Sequence, residues 1–234
     1  MRRELLERIV EADKASRPVV LVRSLTDERQ FLVDGEDTTG DIQGVPQELI
    51  SHSRTALNQD GAHVIEAEGE RYLVQTLSPP PRLIVIGAVH IAQRLIPMAR
   101  MAGYDVQLID PRTAFAASSR FPEVSIINDW PQEVMRDLSL DARTAVVTLS
   151  HDAKIDEPAL KAALESDAFY IGALGSKKNH AKRLGRLAEL GFDEESLARI
   201  AGPIGLPLGG RSPAEIAVAI LAQMIQARYG RNTR

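Results

Sequence analysis

Apolar residues follow two different patterns on either side of a run of three prolines. Before it, Leu5, Leu6, Ile9 and Ala12 share one helical face, which predicts an opening helix over residues 3–15. Pro18-Val19-Val20-Leu21-Val22 and Gln30-Phe31-Leu32-Val33 read as strands, whereas Gly35 to Gly44, rich in Gly, Asp and Thr, reads as a loop. Pro46 suits the first turn of a helix running to about Asn58. His63-Val64-Ile65-Glu66 and Tyr72-Leu73-Val74-Gln75-Thr76 predict two strands around the turn Glu68-Gly69-Glu70. Residues 1–78 are therefore expected to form a small α+β domain.

Ser78-Pro79-Pro80-Pro81 enforces an extended, stiff segment and sets the expected border. From residue 82 to 234 the pattern becomes strand–helix alternation. Leu83-Ile84-Val85-Ile86 is a continuous apolar run, as a strand buried on both faces requires. Further strands are predicted at 105–109, 124–127, 144–149 and 168–172, with helices at 90–102, 131–138 and 156–165 between them. This alternation predicts the α/β class: a Rossmann-like, doubly wound parallel sheet with strand order 3-2-1-4-5, preceded by the small N-terminal α+β domain. Helices at 176–190, 193–200 and 213–229 complete the chain. In the last of these, Ile216, Ile220 and Met224, beside Ala217, Leu221 and Ile225, form an apolar stripe suited to core or to a dimer interface.

Composition narrows the function classes. Of 234 residues, 44% are hydrophobic and 26% charged, which is ordinary globular usage. The formal charge of −4 gives no reason to expect nucleic acid or an anionic membrane as partner. The longest apolar run, Ile216 to Ala222, falls far short of the roughly 20 residues that span a bilayer. The first eight residues are charged and helix-like, so a cytoplasmic location is the expectation. There is no cysteine, which removes disulfides, thiolate metal sites and cysteine nucleophiles. The five histidines form no HxxxH or HxH pair, so no dedicated metal site is expected.

Candidate chemistry gathers at the ends of the predicted parallel strands. Gly87-Ala88-Val89-His90-Ile91-Ala92 follows the first buried strand and opens a helix, the place of a dinucleotide-binding turn. Gly87 can make the tight turn and Ala92 can stand for the third glycine, but Val89 obstructs the approach that a second glycine permits. His90 either faces a ligand or packs on the sheet. Asp110, 23 residues after Gly87, is placed to bind a ribose hydroxyl, and Arg112 to accept a 2′-phosphate, leaving NAD and NADP both open. The alternative is a Rossmann crevice that binds something else, or nothing.

His151-Asp152 follows the fourth strand at the carboxyl edge, where open α/β sheets bind ligands. His151 can donate to a phosphate or pterin carbonyl, or shuttle a proton; Asp152 or Asp156 can instead cap the helix beginning near Glu157. Gly175-Ser176-Lys177 opens another helix and offers N–H groups and a cation to an anion. Lys182, Arg183 and Arg186 continue that charge, so a solvated basic helix face is the plainer reading. Gly210-Arg211, in the loop before Pro213, is a second candidate phosphate cradle. Gly87, His151, Gly175-Ser176 and Gly210-Arg211 are together expected to border one working cleft.

Taken in order, Gly87–Ala92, Asp110-Pro111-Arg112, Arg120-Phe121-Pro122, Leu149-Ser150-His151-Asp152, Tyr170–Lys178, Pro203–Leu206 and Gly209–Ala217 resemble the XdhC/CoxI family. These are accessory proteins that mature molybdenum hydroxylases such as xanthine dehydrogenase. The resemblance covers about residues 80–226. It implies a Rossmann domain behind a smaller domain, usually as a homodimer, that binds molybdenum cofactor (molybdopterin) and delivers it, protected, to a molybdenum hydroxylase apoenzyme. That is a carrier role, with no catalytic residue implied. Family members usually carry a glycine-rich segment with a cysteine in the small domain. The matching stretch here, Thr39 to Glu48, has no cysteine, and Val89 stands where the family has glycine. An NAD(P)-dependent oxidoreductase is the alternative, and a regulatory protein that has lost its ligand is a third reading.

Overall fold

In the computed structural model, residues 2–57 and 60–230 are described. The chain divides between Pro79 and Pro80 into two compact units.

The first unit is a five-stranded antiparallel sheet with a helix on each face. In chain order it comprises α1 (Arg3–Lys14), β1 (Val19–Ser24), β2 (Gln30–Asp34), β3 (Asp37–Gly40), α2 (Gln47–Ala56), β4 (Gly61–Ala67) and β5 (Glu70–Leu77), with sheet order β3-β2-β1-β5-β4. Successive side chains of a strand point to opposite faces. Val20 and Val22 therefore pack with Phe31, Val74 and the α2 residues Leu49 and Ala56, while Val19 and Leu21 pack with Leu5 and Ala12 of α1. Both faces being covered explains why β1 reads as an unbroken apolar run. Leu6, expected on the inner face of α1, is 46% exposed. The loop expected over Gly35–Gly44 contains β3: a turn with Gly35 at φ 60° returns the chain, and Thr38 and Thr39 pair with Val33 and Leu32. The expected helix end at Asn58 lies outside the described residues.

The second unit is a parallel sheet of six strands in the order β8-β7-β6-β9-β10-β11. Its elements are β6 (Arg82–Ile86), α3 (His90–Met101), β7 (Asp105–Ile109), β8 (Ser125–Ile127), α4 (Pro131–Val134), β9 (Thr144–Thr148), α5 (Ala153–Leu164), β10 (Tyr170–Ala173), α6 (Lys177–Glu189), α7 (Glu194–Ala198), β11 (Ile200–Ala201) and α8 (Pro213–Gly230). The first five strands take the expected 3-2-1-4-5 order. Leu83 and Val85 face Leu95, Ile96, Ile220 and Met224 from α3 and α8. Ile84 and Ile86 face Ile155, Leu160 and Leu187 from α5 and α6. The Ile220–Met224 stripe thus belongs to the core. The sixth strand was not expected, because residues 193–200 read as helix. Instead Asp193 caps a helix of only five residues, and Ile200-Ala201 pair in parallel with Ile171 and Gly172.

Candidate functional site

Parallel register brings the strand ends to one rim. Ile86 lies opposite Ile109 and Thr148, and Thr148 lies opposite Ala173. The chain leaves these strands through Gly87, Ser150-His151-Asp152 and Gly175-Ser176, so residues far apart in sequence meet at the carboxyl edge.

At the first turn, Gly87 has φ 105°, and a Cβ there would stand 2.8 Å from the Ser150 backbone nitrogen. Only glycine fits without a shift. The buried Ala88 N–H donates to Asp110 Oδ2 at 2.7 Å. Asp110 also accepts from the Arg112 backbone N–H at 2.9 Å and from the Arg112 guanidinium at 2.9 and 2.7 Å. Burial pushes the Asp110 carboxyl up, but the Arg112 guanidinium and these two backbone N–H groups outweigh it, holding the carboxyl below its usual range. Asp110 is fully buried, and Arg112 turns inward to it and stacks 4.8 Å from the Phe115 ring. The pair clamps the turn, and the engaged carboxylate lacks the open acceptor a ribose hydroxyl needs. Val89 takes the N-cap position of α3 with extended backbone and packs partly against the core. His90, the first residue of that helix, is exposed.

The second turn sits over a cleft of about 110 Å³ whose lining includes His151, Asp156, Leu174, Asn179, Lys182 and Arg183. Asp152 caps α5, its Oδ1 accepting from Lys154 N–H at 2.9 Å. The helix therefore starts at Ala153, ahead of the expected Asp156. His151 adopts left-handed backbone at φ 63° and is exposed. Asp156 is 1% exposed. Its Oδ1 accepts from the Ser150 hydroxyl at 2.6 Å and the Ser150 N–H at 3.2 Å, while Oδ2 has no partner. Burial raises the Asp156 carboxyl above its usual range, against the opposing pull of Ser150 and Arg183. Arg183, 6% exposed, donates from Nη2 to the Leu174 carbonyl at 2.8 Å, and its Nη1 is unpartnered. On the rim, Arg186 is paired with Glu157.

Gly175 is at φ 149° and faces the Arg183 guanidinium. Ser176 caps α6 by accepting from Asn179 N–H at 3.2 Å, with Lys177 exposed as its first residue. The Gly210-Arg211 loop is organised differently. Glu215 Oε2 accepts from Arg211 N–H at 3.1 Å, Ser212 N–H at 2.9 Å and the Ser212 hydroxyl at 2.8 Å. Ser212 answers by accepting from Glu215 N–H, a capping box. These N–H groups, first and most strongly that of Ser212, lower the Glu215 carboxyl. The expected phosphate cradle is thus filled by the chain's own carboxylate.

The strand ends bring Gly87, His151, Asp152, Gly175, Ser176 and Lys177 to one rim, but of the residues expected to border a single cleft only His151 lines it; Gly87, Gly175, Ser176, Gly210 and Arg211 do not. Asp156 and Arg183 were not singled out as site residues, although a signal exists. Asp156 shares the inward face of α5 with Ala159 and Leu160, and Arg183 lies four residues before the buried Leu187. Among the described residues there is no metal-binding cluster of three or more His, Cys, Asp or Glu, and no helix long and apolar enough to cross a membrane.

Residues 83–224, which contain the whole rim, match the family model of the XdhC Rossmann domain. Over 180 residues the chain is 32% identical to the molybdenum cofactor insertion chaperone PaoD of Escherichia coli (strain K12), covering 77% of this chain and 47% of that protein. Over 156 residues it is 31% identical to a probable xanthine dehydrogenase subunit of Bacillus subtilis (strain 168), covering 66% and 45%. The chain therefore spans about half the length of these curated relatives. A crystal structure described as a xanthine dehydrogenase from Bacillus halodurans superposes with a TM-score of 0.77 at 25% identity, covering 98% of this chain and 68% of that one.

Proposed function

The chain belongs to the XdhC family, and from that premise we propose that it is an accessory protein that binds molybdenum cofactor, shields it and delivers it to a molybdenum hydroxylase apoenzyme. The observation that carries the reading is the family match across 83–224, which takes in every element of the carboxyl rim. The residues fit the ring and anionic parts of such a group. Asp156 and Arg183 each present a buried polar atom without a partner, and Lys177 stands at the N-terminus of α6, where N–H groups and a cation favour an anion. The cofactor supplies redox chemistry to its target enzyme; this chain's residues bind and enclose it. The dinucleotide alternative depends on Asp110, which is engaged in the clamp. A second copy of the chain as partner and a cytoplasmic location belong to the same proposal.

Chain purified from a host that makes the cofactor should carry molybdenum and pterin, and should activate a molybdenum hydroxylase apoenzyme. Metal analysis and fluorescence of the oxidised pterin measure the first, and regained activity the second. Absence of metal, pterin and activation together overturns the reading.

His151→Gly separates side chain from backbone at the rim. Glycine accepts φ 63° at no steric cost, so stability should stay within about 1 kcal/mol of the parent. Cofactor retention should fall, because the imidazole donor is gone. Full retention in equilibrium dialysis would make His151 a turn residue only.

A further inference from the structure

We infer that the cleft between α5 and α6 reads the lactam edge of a planar heterocycle, the ring N–H beside a carbonyl that pterin and guanine share, with Asp156 accepting from the N–H and Arg183 donating to the carbonyl. A buried polar atom without a hydrogen bond costs free energy, and a buried charge without a partner costs more. Here two such polar atoms, Asp156 Oδ2 and Arg183 Nη1, belong to residues that line the same cleft; their opposite charges attract, but no hydrogen bond joins them.

Both side chains are held firmly at their other ends. Ser150 gives its N–H and hydroxyl to Asp156 Oδ1, and the Leu174 carbonyl takes Arg183 Nη2. Each residue is therefore fixed by one atom and left with one buried atom unpartnered, which sets one acceptor and one donor in the walls of the same cleft. A rigid site of this kind binds without the entropy cost of ordering long side chains.

The pairing also selects against the obvious rival, an oxyanion. A phosphate would satisfy Arg183 but would meet the Asp156 carboxylate. Of the other cations lining the cleft, Arg186 is paired with Glu157, and Lys182 is exposed to water, which screens its charge. A group that offers a donor beside an acceptor satisfies both open atoms at once. A lactam does this within one rigid plane; an adenine edge does not offer an N–H next to a carbonyl.

The choice of pterin over guanine rests on the cofactor-carrier reading above, whereas the lactam edge rests on the two open atoms alone. Calorimetric titration of the full chain with pterin, guanosine, adenosine and inorganic phosphate separates these layers. Pterin should bind, with adenosine and phosphate at least about tenfold weaker. In Asp156→Asn the amide oxygen can still accept from Ser150, while an NH2 replaces the open oxygen, so donor meets donor. Pterin affinity should drop about tenfold or more, and thermal melting confirms that the variant is folded. Guanosine binding that is lost in Asp156→Asn, with no pterin binding, would uphold the lactam edge and overturn pterin as its ligand, while the carrier reading is decided by the metal, pterin and activation measurements above. Unchanged pterin affinity in folded Asp156→Asn, or phosphate binding as tightly as pterin, would overturn the inference even if purified chain carries molybdenum.

Discussion

Asp110→Ala is expected to destabilise the parallel-sheet unit by about 3–5 kcal/mol, the range for breaking a buried ion pair by removing one partner. The carboxylate is fully buried and accepts from Ala88 N–H, Arg112 N–H and two guanidinium nitrogens. Truncation leaves the buried Ala88 donor orphaned and the guanidinium without its counter-charge. Because the Arg112 side chain is 33% exposed and can turn to water, the lower end of the range is expected. Asp110→Asn, which keeps an acceptor but not the charge, should cost less. The sign of the pH dependence follows from the lowered carboxyl. A carboxylate more acidic in the folded state stabilises above its unfolded value, near 3.8, and that contribution is lost as pH falls through the folded value. Urea denaturation of parent and Asp110→Asn between about pH 7 and pH 3 should show the difference between them shrinking toward acid. A constant difference would mean the charge contributes nothing.

Gly87→Ala should be comparably damaging, at about 2–6 kcal/mol. Left-handed backbone at a residue with a side chain costs about 1–3 kcal/mol, and the new Cβ forces apart a contact of 2.8 Å with Ser150, an overpacking of about 1–3 kcal/mol. The second consequence is remote. Ser150 is the residue that fixes Asp156, so pushing it away loosens the cleft as well. Gly87→Ala should therefore lose ligand retention beyond what its folded fraction explains. A stable Gly87→Ala protein with parental retention would show that the two turns are independent.

The sheet was legible because its signal is local. Leu83-Ile84-Val85-Ile86 is apolar at every position since helices cover both faces, and that composition survives without any knowledge of partners. Strands β3 and β11 were missed for the opposite reason. Four residues of Asp, Thr and Gly, and the pair Ile200-Ala201, carry no periodicity, and each is a strand only because a neighbour offers a ladder. The rim followed from topology, since parallel strand ends must share an edge. Roles within it did not follow. Asp152 and Ser176 look alike whether they cap a helix or hold a ligand, and both are caps here. Asp156 and Arg183 matter through burial and open hydrogen-bonding atoms, properties of tertiary packing that a string of residues does not contain.

The Ser212–Glu215 cap has a consequence for selectivity. Its carboxylate is tethered four residues or fewer from the N–H groups it fills, so it acts as a resident competitor at an effective concentration on the order of millimolar or above. Dilute phosphate esters in solution face that competitor at the start of α8 before they gain a single hydrogen bond there. The loop most like an anion receptor in its composition is, in effect, self-inhibited, and discrimination among incoming molecules passes to neighbouring groups that have no internal rival.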